Sequence, residues 1–199
     1  MSERTPLASE RSTLVLVSAS PRRRWLLAKL GVGFEVLPLD IDERPRPGEP
    51  PADVAQRMAD EKSAAAVTLR GDAWLLAADT VVAVDGESWG KPRDATEAAA
   101  MLATLSGRGH TVYTAVTLRQ PGGTPAVRAV TATEVCFRTL TAEEIREYVA
   151  TGEPFDRAGA YAIQGEGAHL IDRVVGSYTN VIGLPLPEVA RWLRECQIL

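Results

Sequence analysis

Cysteine is almost absent. The 199 residues hold only Cys136 and Cys196, with no CxxC spacing and no nearby histidine, which excludes a disulfide framework and a thiolate zinc site and suits a reducing compartment. No apolar run approaches the ~20 residues needed to cross a bilayer. The polar opening Met1–Ser12 has no apolar signal region, so a cytoplasmic location without a membrane partner is expected. Positive charge is not in excess. The 22 Lys+Arg against 26 Asp+Glu leave −4, so no stable nucleic-acid complex is expected and any basic site must be local. The sequence also lacks a GxxxxGK[ST] loop, a GxGxxG turn after a strand, an HExxH pair and a GxSxG elbow. His110 and His169 are isolated, with no second ligand three or four positions away, and both read as structural or exposed.

What remains is an ordinary globular composition, 45% hydrophobic and 24% charged, at a length that suits one domain, 13–199, behind a flexible tail, 1–12. Thr13–Val17 is an apolar, β-branched run suited to a buried strand. Ser20 can cap a helix with Pro21 at its first position, and Gly31 can stop it, giving a helix over Arg22–Leu30. Phe34–Leu39 reads as a second strand, Asp40–Pro51 as a proline-rich charged loop, and the alanine-rich Ala52–Leu69 as a helix. Trp74–Val84 reads as a long strand turning at Asp85-Gly86 into Glu87–Trp89. Asp94-Ala-Thr-Glu97 and Thr141-Ala-Glu-Glu144 match capping boxes for helices to about Ser106 and Ala150. Thr111–Arg119 and Pro125–Arg138 alternate as a hairpin around Pro-Gly-Gly. Gly152–Asn180 reads as glycine-rich and irregular, and Pro187–Cys196 as a closing amphipathic helix.

Two features call for chemistry. Arg22-Arg23-Arg24 crowd the first turn of a helix, where the macrodipole is already positive. An anion held by Ser18, Ser20, the free amides and the guanidiniums would reverse that conflict, and a solvated basic turn is the bland alternative. Asp79 interrupts the apolar strand and needs a metal ion, a cationic residue or an activated water, or else a buried hydrogen bond at a strand break. Lys91, in the rigid turn Gly90-Lys-Pro92, and Lys62, on the alanine-rich helix, gain meaning only in combination, as do Asp40, Asp42 and Glu43. Gln164 sits in a glycine-bounded turn where one amide could read a donor–acceptor pair on a base.

These residues resemble the Maf (septum formation inhibitor-like) nucleoside triphosphate pyrophosphatase family, through Ser18-Ala-Ser-Pro-Arg-Arg23, Ala78-Asp-Thr-Val81, Gly90-Lys-Pro92 and Ala158-Gly-Ala-Tyr-Ala-Ile-Gln-Gly165, in matching order and spacing. Leu105-Ser-Gly-Arg108, His110-Thr-Val112 and Asn180-Val-Ile-Gly-Leu-Pro185 extend the match over about Leu14 to Leu193. The resemblance implies an α/β fold with a curved mixed sheet flanked by helices, a deep cleft between two lobes, and cleavage between the α and β phosphates of a nucleoside triphosphate. It implies a divalent cation, Mg²⁺ or Mn²⁺. Asp79 then matches the catalytic proton acceptor, Arg22 and Thr80 match positions for substrate selection or binding, and Gln164 matches the base-reading glutamine. Glu43, Lys62 and Lys91 match further cleft residues. Asp79 and Glu43 would share the metal, and Ser18, Ser20 and Arg23 would join the phosphate contacts. Glutamine at 164 resembles the branch that takes dTTP and UTP, whereas glutamate there goes with 7-methylguanosine triphosphate. The competing class is a non-catalytic regulator of cell division that binds nucleotide or nucleic acid through Arg22–Arg24. A phosphatase for small sugar phosphates is a third. The oligomeric state is left open, a homodimer included.

Overall fold

The first strand, β1 (Leu14–Val17), is buried over its whole length, as a continuous apolar, β-branched run should be when both faces are covered. The computed structural model describes residues 13–199, and the tail expected over 1–12 lies outside them. After β1, Ser20 caps α1 (Pro21–Ala28) by accepting the Arg23 N–H, and Gly31 ends the turn beyond it at φ +70°.

The second strand is shorter than expected: β2 is only Glu35–Val36. It pairs with Val15 and Leu16, after which β1 runs out and Pro38 offers no N–H to continue the ladder. The alanine-rich helix, α2 (Pro51–Arg70), presents Ala55, Ala59, Ser63 and Ala66 to the sheet, small residues that allow close approach. Next come β3 (Trp74–Val84) and β4 (Glu87–Trp89), joined by Asp85-Gly86, both at positive φ as a tight hairpin requires.

Helix α3 (Ala95–Leu105) starts at Asp94, which accepts the Glu97 N–H at 2.8 Å, but the capping box expected there is incomplete. The Glu97 carboxylate accepts instead from the N–H and guanidinium of Arg93, whose charge draws it one residue too far back. The capping box at α4 (Ala142–Ala150) is complete. Between these helices lie β5 (Gly109–Arg119) and β6 (Pro125–Phe137).

The stretch expected to be irregular, Gly152–Asn180, holds three 3₁₀ turns, a strand β7 (Ile171–Val175) and the start of α5 (Tyr178–Ile182). Strand β7 pairs with the last residues of β6. Its own sequence lacks clean alternation, so pairing rather than local pattern defines it. Helix α6 (Leu186–Glu195) closes the chain.

The strands form one mixed sheet in the order β2-β1-β3-β5-β6-β7, with β4 added beside β3. Alternation along the strands divides the core between the two faces. Val15, Val17, Leu75, Ala77, Val81 and Ala115 face α2, while Leu14, Leu16, Leu76, Ala78, Val82 and Val116 join a larger core. Residues of α1, α3, α4 and α6 pack into that larger core.

His110, on β5, lies in the larger core, 5% exposed, with its ring edge-on to Phe137 and Tyr161 and its Nε2 2.8 Å from the Tyr161 hydroxyl. Its Nδ1 is buried without a partner. Burial first, and the Arg108 charge second, lower its pKa to about 4. The unfolded state therefore takes up a proton near 6.5 that the folded state refuses until about 4. The stability this supplies is complete above about pH 6.5 and is lost as pH falls through about 4. Urea unfolding of the wild type should lose on the order of 3 kcal/mol over that interval beyond the loss of His110→Gln, which keeps a polar group toward Tyr161 but does not titrate. Parallel pH profiles for the two proteins would refute the assignment.

Candidate active site

The sheet leaves one gap, and the site lies in it. Strand β3 pairs with β1 through Trp74–Ala77 and with β4 through Val82–Val84, so on that edge Ala78–Val81 has no neighbouring strand. The opposite edge of the same stretch is fully paired with β5. Asp79 and Thr80 thus stand on a rigid, central strand whose free edge opens into a cleft of about 1000 Å³. Because successive side chains point to opposite faces, they meet different partners.

Asp79 points toward α2, where Lys62 donates to its Oδ1 at 2.6 Å. Lys62 is 6% exposed, and its ammonium also meets Glu43 Oε1 at 2.5 Å. Of the partners that the strand carboxylate could have had, the fold supplies a cation. Glu43 comes from the loop before α2, and its side chain is largely exposed. Burial acts to raise its pKa, but the hydrogen bond and charge of Lys62, with the charges of Arg23 and Lys91 behind them, outweigh it and hold the carboxyl below its ordinary value.

Thr80 points the other way. Arg23 donates to its hydroxyl at 3.0 Å and to the Gly183 carbonyl at 2.9 Å. Thr114 lies 3.0 Å from Thr80 and donates its own proton to the Asn180 carbonyl, so Thr80 must donate to Thr114. Arg23 and Thr80 were expected to bind substrate. They line the cleft, but each first serves a hydrogen-bonded relay that ties α1, β3, β5 and α5 together. Burial leads in lowering the Arg23 pKa, against Asp79 and Glu43, which raise it.

The other expected residues converge on the same cleft. Ser18, Ser20 and Arg22 line it at the end of β1. The hydroxyl of Ser18 accepts the Ser20 N–H at 3.1 Å, and that of Ser20 accepts the Arg23 N–H, so both shape the turn while their protons remain available to an anion. Lys91 and Gln164 line the cleft from other segments and are exposed. Neither His110 nor His169 lines it.

Sequence reasoning did not find what holds Gln164 in place. The Tyr148 hydroxyl accepts the Ala162 N–H at 3.1 Å and donates to Glu153 Oε2 at 2.8 Å, which also accepts the Gly167 N–H at 2.9 Å. The turn bearing Gln164 is thus fastened at both ends. A Cβ on Gly165 would stand 1.9 Å from Glu153 Oε1, and one on Gly167 would stand 2.6 Å from the Tyr148 hydroxyl, so the two glycines admit the clamp. Burial, reinforced by Glu153, keeps the Tyr148 hydroxyl protonated well above its ordinary range.

A buried lysine between two carboxylates, faced by cations from several segments at the open edge of a sheet, equips an α/β protein to bind a phosphorylated ligand. The chain belongs to the Maf-like protein family, whose model matches residues 13–196. It is 52% identical over 183 residues to a dTTP/UTP pyrophosphatase of Geobacter sp. (strain M21), covering 92% of this chain and 95% of that one. It is 54% identical over 184 residues to a dTTP/UTP pyrophosphatase of Anaeromyxobacter dehalogenans (strain 2CP-1), covering 92% and 93%. The fold is similar to that of a HAM1 protein from Coxiella burnetii, with a TM-score of 0.52 at 15% identity over 92% of this chain and 99% of that one.

The clamp behind Gln164 yields a local expectation. Tyr148→Phe removes the acceptor of the Ala162 N–H and the donor to Glu153. The amides of Ala162 and Gly167 should then exchange with solvent roughly tenfold to a hundredfold faster, while the amide of Val116 in β5 keeps its protection. Unchanged exchange at Ala162 and Gly167 would mean that the clamp does not hold the turn.

Proposed function

We propose that this protein hydrolyses dTTP and UTP to the monophosphate and pyrophosphate. The observation that carries this reading is the placement of Asp79: a carboxylate on the free edge of a central strand, bonded to Lys62, in one cleft with Arg22, Lys91 and an exposed Gln164. The 52% and 54% identical relatives bearing that activity in their names support it.

Water attacks the α-phosphorus, the bond from that phosphorus to the α–β bridging oxygen breaks, and pyrophosphate leaves. Asp79 orients the water and takes its proton. Lys62 keeps Asp79 ionised and aimed, and its charge faces the developing negative charge on phosphorus. Arg22 and Lys91 bind the phosphate tail, and Arg23 adds positive charge from its anchored position.

The resemblance also implies a divalent cation. Among the described residues no three His, Cys, Asp or Glu side chains form a cage. The oxygen donors of Asp79 and Glu43, which converge on Lys62, nevertheless suit a hard ion that completes its shell with substrate oxygens, as Mg²⁺ does. Asp79 and Glu43 would hold it, and when bound it would neutralise phosphate charge.

Gln164 supplies selectivity. Its amide can donate to O4 and accept from N3–H of thymine or uracil, a pattern that its clamped turn presents to the cleft. Clamping lowers the ordering cost of such a contact.

A nucleotide panel assayed for pyrophosphate, with and without Mg²⁺ or Mn²⁺, tests class and substrate together. Asp79→Asn, nearly isosteric, should stay folded and lose two or more orders of magnitude in turnover for every nucleotide. A folded variant with near-normal turnover would remove Asp79 from the chemistry.

Gln164→Glu should lower kcat/KM for dTTP and UTP selectively, since a carboxylate cannot donate to O4 and repels it, while the triphosphate contacts remain. An equal fall for all nucleotides would show that Gln164 shapes the site without reading the base.

A further inference from the structure

Arg157 lines the same cleft, although no motif reading singled it out. It lies between the 3₁₀ turns Glu153–Asp156 and Ala158–Ala160, and its backbone is fixed at both ends. Its N–H donates to the Pro154 carbonyl at 3.2 Å, and its carbonyl accepts the Ala160 N–H at 3.1 Å. Two residues on, Gly159 donates to the Gly90 carbonyl at 3.0 Å, tying this segment to the turn that carries Lys91. Gly159 is at φ +73°, and a Cβ there would meet Val82 Cγ1 at 2.9 Å, so the segment lies directly against β3.

The side chain is not satisfied. One terminal nitrogen donates to the Asp156 carbonyl at 3.3 Å, but Nε is buried and has no hydrogen-bond partner. A buried charged donor left without an acceptor is costly, and folded proteins rarely tolerate one without a purpose. The neighbouring charges do not resolve it. Asp79 and Glu43 are both committed to Lys62, and Asp156, which is exposed, forms no ion pair with Arg157 or Arg22 among the described residues. Arg157 and Arg22 act on each other as like charges. Burial is the main cause that lowers the Arg22 pKa, the charges of Arg157 and Arg23 add to it, and Asp156 opposes them. Two guanidiniums brought from distant segments into one cleft, without a carboxylate between them, are a site for a multiply charged anion.

We propose that Arg157 is a ligand of the polyphosphate tail, forming with Arg22 a two-guanidinium clamp inside the cleft. The inference rests on the triphosphate reading above and assigns to that reaction a binding residue outside the matched motifs. The planar fork of arginine suits phosphate oxygens, and the unsatisfied Nε–H becomes a charge-assisted hydrogen bond when the ligand enters. Binding also relieves the repulsion that the empty cleft holds.

Calorimetric titration of the full chain with inorganic tripolyphosphate, alongside dTTP, UTP and GTP kinetics, tests this. Arg157→Ala should weaken tripolyphosphate binding and raise KM roughly tenfold to a hundredfold for every nucleotide, with the base preference unchanged. Arg157→Lys should recover part of the loss. Without ligand, the alanine variant should melt at or above the wild-type temperature, because a like-charge contact has gone. Should it fail to fold, Arg157→Gln, which keeps the stem and a planar polar end, carries the same comparison. Unchanged tripolyphosphate affinity in a folded variant would overturn the proposal, as would a lowered melting temperature with normal binding. A wild type that releases pyrophosphate while Arg157 variants match it defeats only this inference. A wild type that neither binds tripolyphosphate nor releases pyrophosphate defeats the reading beneath it as well.

Discussion

The Lys62 ammonium is the contact on which the site depends. Lys62 is brought to the sheet by a helix narrow enough, through Ala55, Ala59 and Ala66, to lie close against β3. There it holds the strand carboxylate Asp79 and the loop carboxylate Glu43 together. Without a cation, Asp79 would be a nearly buried charge beside an apolar strand, and the loop before α2 would lose a tie to the cleft. The same contact supports both fold and chemistry, since an ion pair that balances Asp79 also keeps it ionised and faces it toward a substrate.

The sheet provides what the lysine cannot, an opening. A strand paired along both edges has no room for a ligand, and β3 escapes this because β1 ends at Val17 and β4 begins pairing only at Val82. The short gap exposes Asp79 and Thr80 to the cleft while β5 holds the other edge in register. Alternation then sends Asp79 to the α2 face and Thr80 to the opposite face, where Arg23, Thr114 and the Asn180 carbonyl form a relay. Asn180 is fully buried and donates also to Val112 and Thr133, which extends that relay into the β5–β6 pair. The cleft wall is therefore preorganised by hydrogen bonds that leave little for a ligand to rearrange.

The far side of the cleft obeys a similar rule with different parts. The turn around Gln164 has little secondary structure to stiffen it, and Tyr148 and Glu153 stiffen it from behind. Next to it, Arg157 is held by its backbone while its side chain stays unsatisfied. One segment thus presents a base-reading amide and a phosphate-seeking guanidinium, each fixed by the main chain rather than by its own side-chain partners.

The local signals were legible wherever a residue's own neighbours decide its conformation. The span of β3, the turn at Asp85-Gly86, the cap at Ser20 and the box at Thr141 follow from periodicity, positive φ and side-chain reach. The conflict at Arg22–Arg24 and the lone carboxylate Asp79 also declared themselves, because each breaks a local rule. What escaped depends on residues distant in sequence. The early end of β2 follows from the length of β1 and the missing N–H of Pro38, and the existence of β7 follows from the exposed end of β6. Glu97 pairs with Arg93 because of where one guanidinium swings. That Lys62 meets Asp79, that Tyr148 holds the Gln164 turn, and that Arg157 enters the cleft without an acceptor were decided by tertiary structure alone. A one-dimensional pattern records which residue can bear a charge or a hydrogen bond, whereas the partner is set by packing between elements that the pattern does not place.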